Sequence, residues 1–126
     1  MSITRRTALA IALALPAGAA VAHHGWSWAV AEPETMEAVI ETVSLAPPHP
    51  RLTVRAADGT QWTIDFTNPR GVERAGFREG SAAAGDAVTI FGNRARDPSN
   101  RLMKAIRITV RGQDYVFYPD RLPASN

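Results

Sequence analysis

The chain has 126 residues, no cysteine and a formal net charge of +2. That length suits one small domain with a core of its own, and the lack of cysteine excludes disulfides and thiolate metal sites. The charge sits largely at the start: a chain cut after Ala22 loses Arg5 and Arg6 and keeps 12 basic and 12 acidic side chains, so the clustered positive surface that nucleic acid requires is not expected.

Residues 1–22 read as a secretory signal peptide. Arg5-Arg6 form a basic head, Thr7 to Leu15 an apolar run, and Ala20-Val21-Ala22 a small-residue end, the three parts of an export leader. The apolar run is shorter than the roughly 20 residues of a spanning helix; the other reading is a retained anchor. Thr4-Arg5-Arg6 with Leu9 partly resembles a twin-arginine signal, although Ala8 stands where a bulky residue is usual. A competing cut after Ala19 would leave three residues ahead of His23. The expected location is periplasmic or secreted, with no transmembrane segment in the mature chain.

Cutting after Ala22 makes His23 the first residue, in His23-His24-Gly25-Trp26-Ser27-Trp28. A free amine beside an imidazole chelates a transition metal in a six-membered ring. His24, Trp26, Trp28 and Val30 alternate with Gly25, Ser27 and Ala29, the period of a short strand. Pro33 marks a break, and Met36 to Leu45 is β-rich. A hairpin centred near Pro33 would set His24 opposite Thr42 and His23 opposite Val43, bringing the chain start towards His49. That histidine lies in Ala46-Pro47-Pro48-His49-Pro50, a connector whose prolines restrict its backbone. A plain reading is also open: prolines end a strand, and His49 is an exposed loop residue.

Leu52, Val54 and Ala56, a turn at Ala57-Asp58-Gly59, then Trp62, Ile64 and Phe66 make the clearest hairpin, with apolar and polar faces alternating. Trp62 is expected in the core and Asp65 in solvent. Asn68-Pro69 starts a helix with a cap and a proline at the first position, and Gly76 closes it. Arg70, Arg74 and Arg78 would share a side if the helix ran that far, as a solvated face or as an anion-receiving stripe. Ala87 to Arg94 is a strand in which Gly92 marks a bulge. After a turn at Asp97-Pro98-Ser99-Asn100 come a strand from Leu102 to Val110 and a last one at Tyr115 to Tyr118. The tail over 119–126 is expected to be flexible.

The expected fold is mainly β: a small OB-like barrel of five to seven strands over 23–118, with one short helix between the third and fourth core strands. A β-sandwich is the alternative, against which the lone helix counts. The mature chain resembles a family of small exported bacterial proteins catalogued as a domain of unknown function. The resemblance rests on His23-His24-Gly25-Trp26, Pro47-Pro48-His49, Trp62-Thr63-Ile64-Asp65, Asn68-Pro69 through Gly76-Phe77, and Ala84-Gly85-Asp86. Pro47 stands where the family has Asn, and Ala84 where it has Pro. The resemblance implies the compartment and the fold, and suggests that the three histidines belong together.

Two functions from different classes follow. One is a metal-binding protein in which His23, His24 and His49 hold copper, since all-nitrogen sites suit Cu(II). The other is an interaction module in which Trp26 and Trp28 form an apolar lip for a peptide, a glycan or an envelope partner. No serine, cysteine or paired-carboxylate constellation points to hydrolysis; a histidine-brace copper centre is the oxidative alternative.

Overall fold

The structure, a computed structural model, describes residues 25–125. The signal-peptide reading and two of the three proposed metal ligands, His23 and His24, lie outside the described residues. Six strands form one sheet: β1 (Glu34–Ser44), β2 (Arg51–Ala56), β3 (Gln61–Asp65), β4 (Ala87–Arg94), β5 (Leu102–Val110) and β6 (Gln113–Val116). A helix, α1 (Pro69–Arg74), lies between β3 and β4. The strand order is β3-β2-β1-β4-β5-β6, and a parallel β3–β5 pairing closes the first five into a barrel. This is the OB arrangement expected from the element order, with β6 added outside the ring. Among the described residues no helix is long and apolar enough to cross a membrane.

Alternation builds the interior. Leu52 and Val54 of β2, Trp62 and Ile64 of β3, Val88 and Ile90 of β4, and Ile108 and Val110 of β5 are all buried, one residue in two, as a two-faced strand requires. Four aromatic rings fill the space beside α1. Phe66 stacks on Phe117 with centroids 4.4 Å apart, and Phe77 meets Phe66 and Tyr115 edge-on at 5.3 and 5.1 Å. The guanidinium groups of Arg94 and Arg101 lie 4.8 and 5.3 Å from the Trp62 ring, and Arg94 also ion-pairs with Glu34.

Two bulges bend the barrel. One falls between Ile40 and Thr42 on β1, the other between Phe91 and Gly92, where Phe91 pairs with Arg107 but Gly92 with Ala105. A Cβ on Gly92 would lie 2.1 Å from the Lys104 carbonyl oxygen, so only glycine allows this approach. Beyond the bulge Asn93 pairs with Lys104, and Ala105 faces the core. Alternation then directs Asn93 and Lys104 to the outer face of the barrel.

The expected hairpin around Pro33 does not form. Both edges of β1 are occupied, by β2 and by β4, leaving none for the segment before it. That segment, residues 25–31, runs instead as a strap beside the end of β4, and where a short strand was expected it turns, the Ala29 amide donating to the Trp26 carbonyl at 3.0 Å. Val30 donates to the Arg94 carbonyl and Arg96 to the Trp28 carbonyl, both at 2.8 Å, and Ala29 forms an isolated antiparallel bridge with Ala95. At the other end, where a flexible tail was expected from 119, Pro119–Arg121 forms a 3-10 turn.

Candidate functional site

A cleft of about 640 Å³ opens between the β1–β2 loop, the β3–α1 junction and β5. Pro47, Pro48, His49 and Pro50 form one wall; Asp65, Phe66, Thr67, Asn68 and Pro69 form a second; Lys104 and Tyr118 complete it.

Local sequence places each wall. β1 stops at Ser44, and the proline-rich loop that follows contains a cis bond between Pro47 and Pro48. Pro50 is buried and its carbonyl accepts the Phe66 amide at 3.1 Å, which ties the loop to the end of β3. His49 is exposed at the cleft wall, and its carbonyl accepts from Arg51 Nε at 3.3 Å. At the second wall the Asn68 side chain accepts the Gly71 amide at 2.9 Å, with Pro69 next in line. α1 ends in a Schellman motif: Phe77 donates to the Val72 carbonyl and Gly76 to the Glu73 carbonyl, with Gly76 at φ +82°. Because the helix stops at Arg74, Arg78 lies past its end, and the three arginines do not form a helical stripe.

Asp65 is the last residue of β3, half-buried, and is paired in register with Arg51 on β2 and with Lys104 on β5. It therefore lies between two cationic neighbours in the cleft wall, not in open solvent as alternation alone implied. Lys104 is only 5 % exposed. Its Nζ donates to the Gly25 carbonyl at 3.1 Å and lies 4.6 Å from the Trp26 ring centroid and 5.6 Å from that of Tyr118. Burial lowers its pKa, the Asp65 carboxylate pulls the other way, and the Arg121 charge adds to the lowering.

Trp26 meets the Tyr118 ring edge-on at 4.8 Å, and the Arg121 guanidinium stands 3.7 Å from its centroid. Trp28 is half-buried, and its indole Nε1 is buried without a hydrogen-bond partner. Trp26 is thus engaged by Lys104, Tyr118 and Arg121 of its own chain. Trp62 is core, as expected, at 4 % exposure.

Of the proposed metal ligands, His49 lies on the cleft, and Gly25, next in the chain after His24, is anchored to Lys104 on the same cleft. Among the described residues no three His, Cys, Asp or Glu side chains form a metal-holding group. Sequence reasoning placed Asp65 in solvent and passed over Lys104, Tyr118 and Arg121. A signal existed for Lys104: it is the sole lysine in a chain with 14 basic residues, and it interrupts an otherwise apolar run. For Asp65 the signal was its place at the end of the Trp62-Thr63-Ile64-Asp65 motif.

A second groove, of about 600 Å³, crosses β2, β1, β4 and β5 over Val39, Thr89 and Thr109. Its two arginines are already committed, Arg55 to Glu41 and Arg111 to Asp86, each at 2.9 Å.

Fold and cleft together define a small OB-type barrel with a polar and aromatic cleft beside its N-terminal strap. The chain belongs to a family of unknown function, DUF6152, whose model matches residues 11–104. That match spans the His23-His24 pair, the His49 loop, Asp65 and Lys104. No curated protein and no solved structure matches the chain.

Proposed function

We propose that this protein is an exported barrel that binds a transition metal, copper as Cu(II), between its new N-terminus and the His49 loop. In the cut chain the His23 amine and ring form the chelate, and His49 or His24 supplies a further nitrogen. The observation that carries the reading is the Lys104 contact. Lys104 and His49 line one cleft, and Lys104 holds the carbonyl of Gly25, two residues after His23. Consecutive Cα atoms are about 3.8 Å apart, so connectivity keeps the start of the cut chain within reach of that cleft. This support does not depend on the Pro33 hairpin, which the fold replaces.

The chemistry is consistent with the choice of metal. Nitrogen donors suit Cu(II), which also tops the divalent affinity order. Neighbouring side chains on a strand point to opposite sides, so His23 and His24 could share one ion only across a bend in the backbone. Asp65 offers a carboxylate against the positive charges of Lys104 and Arg121. The engagement of Trp26 inside the chain favours this reading over an aromatic docking lip, which needs a free ring. Binding requires a deprotonated amine and neutral imidazoles, so affinity should fall as the solution is made more acidic.

Mass spectrometry of the exported protein gives its first residue. Titrating that form with Cu(II), followed by visible absorption and electron paramagnetic resonance, should show one equivalent bound with nitrogen hyperfine structure. His49→Ala should weaken it at least tenfold. A chain that begins at His23 and takes up no copper overturns the reading.

A further inference from the structure

We infer that Asn93 and Lys104 act together as a clasp that seats the strap 25–31, and that this seating positions the chain start for the proposed metal site; the second half rests on the copper reading above. Among the described residues Asn93 and Lys104 are the buried polar side chains, at 3 and 5 % exposure. They are cross-strand partners on β4 and β5. The bulge on β5 opposite Gly92 turns Lys104 to the outer face, which Asn93 already takes by alternation along β4, and a polar side chain there has no need to be covered. What covers them is the strap, and their hydrogen bonds to it are complementary.

Lys104 Nζ takes the Gly25 carbonyl at 3.1 Å, at one end of the strap. Asn93 Nδ2 takes the carbonyls of Val30 and Ala31 at 3.0 and 3.2 Å, at the other. Between them the strap has two backbone bonds to its neighbours, Val30 to Arg94 and Arg96 to Trp28, and one from Arg96 Nε to the Ser27 carbonyl at 3.0 Å. A single bridge of this size is too short a ladder to hold a segment by itself.

Burying an ammonium and an amide on an outer face costs more than burying apolar side chains there. The arrangement is understandable if the two residues select one seat for the strap, since a greasy face would hold it without fixing its register. A clasp of this kind makes Asn93 and Lys104 positioning residues, acting on the metal through Gly25 and the backbone before it. Linkage then works both ways: whatever steadies the strap favours the metal, and the metal steadies the strap by the same factor.

The test uses the chain that begins at His23, as isolated after export, with Lys104→Met and Asn93→Leu as separate variants and Lys104→Arg as the conservative one. Amide hydrogen exchange is read at Val30 and Arg96 for the strap, and at Ile64 and Ile90 for the barrel. Copper affinity is read by chelator competition, and the resonance spectrum reports ligand geometry. Each of the first two variants should speed exchange at Val30 and Arg96 at least tenfold while the barrel amides keep their protection. Each should lower copper affinity at least tenfold and alter the spectrum. Lys104→Arg should recover most of both effects, and copper added to the parent chain should slow exchange at Val30. Strap exchange unchanged in both Lys104→Met and Asn93→Leu overturns the clasp. A parent chain that binds no copper overturns the metal reading instead, and the exchange data still decide the clasp. Looser straps with unchanged copper affinity overturn the coupling alone.

Discussion

Gly92 decides where Lys104 points. Its missing side chain lets β4 meet the Lys104 carbonyl, and the bulge there turns the lysine outward. Gly92→Ala would drive a Cβ against backbone that cannot rotate away. It should cost on the order of 2–3 kcal/mol, read as a lower urea midpoint, and should loosen the strap as well. Two aspartates set a different residue-scale effect. The Ser99 hydroxyl and amide hold the Asp97 pKa below its usual value, and Thr60 does the same for Asp58. A depressed folded pKa contributes stability above the unfolded value that is lost as pH falls through the folded one. Their contribution should therefore fade below about pH 3.8. Asp97→Asn should flatten that acid limb in a series of urea melts at stepped pH.

At the scale of elements, α1 shows how a short helix is made from its ends. One turn and a half has little propensity to draw on, so the Asn68 cap, Pro69 and the Gly76 closure carry it. Asn68→Ala should cost about 1 kcal/mol. Gly76→Ala, at φ +82°, should cost ~1–2 kcal/mol. Both should be visible in chemical denaturation, and both act on the cleft, since Asn68 and Pro69 line it. The hairpin of β2 and β3 and the bounds of β4 and β5 were legible in the sequence because period-two alternation and an Asp58-Gly59 turn are local signals. The strap was not legible: the alternation read as a strand, whereas Trp26 to Ala29 forms a turn and only Ala29 bridges to a neighbour. Alternation of His24, Trp26, Trp28 and Val30 predicts a stretched backbone, but over so few residues it neither excludes a turn nor says which edge will accept the segment. The bulge that Gly92 marked from β4 lies on β5, where Leu102 to Ile106 gave no sign of it: all five residues but Lys104 are apolar, so the change of face leaves no mark in the pattern.

For the molecule as a whole, the parallel contact between β3 and β5 closes the ring. Ile64 and Met103 are partners there, and both are fully buried. Met103→Ala should cost about 2–5 kcal/mol, and its unfolding should remain one transition by circular dichroism and by tryptophan fluorescence. The closure also gives the cleft its shape, because it brings Lys104 of β5 into register with Asp65 of β3. The cleft therefore depends on a pairing between strands far apart in the chain, and no stretch of sequence contains it.

The order of apolar and polar residues, the turn glycines and the helix cap determined by themselves a small mainly β domain with one helix before its fourth strand. The same order raised His49 and the His23-His24 pair as candidates. Only the tertiary structure decided that the segment after those histidines lies along β4, that Asp65 and Lys104 share a cleft with His49, and that Trp26 is held by its own chain. The reason is physical: alternation and capping act between neighbours in sequence, whereas edge occupancy, bulge phase and the burial of a charge are settled only when distant strands compete for the same partners.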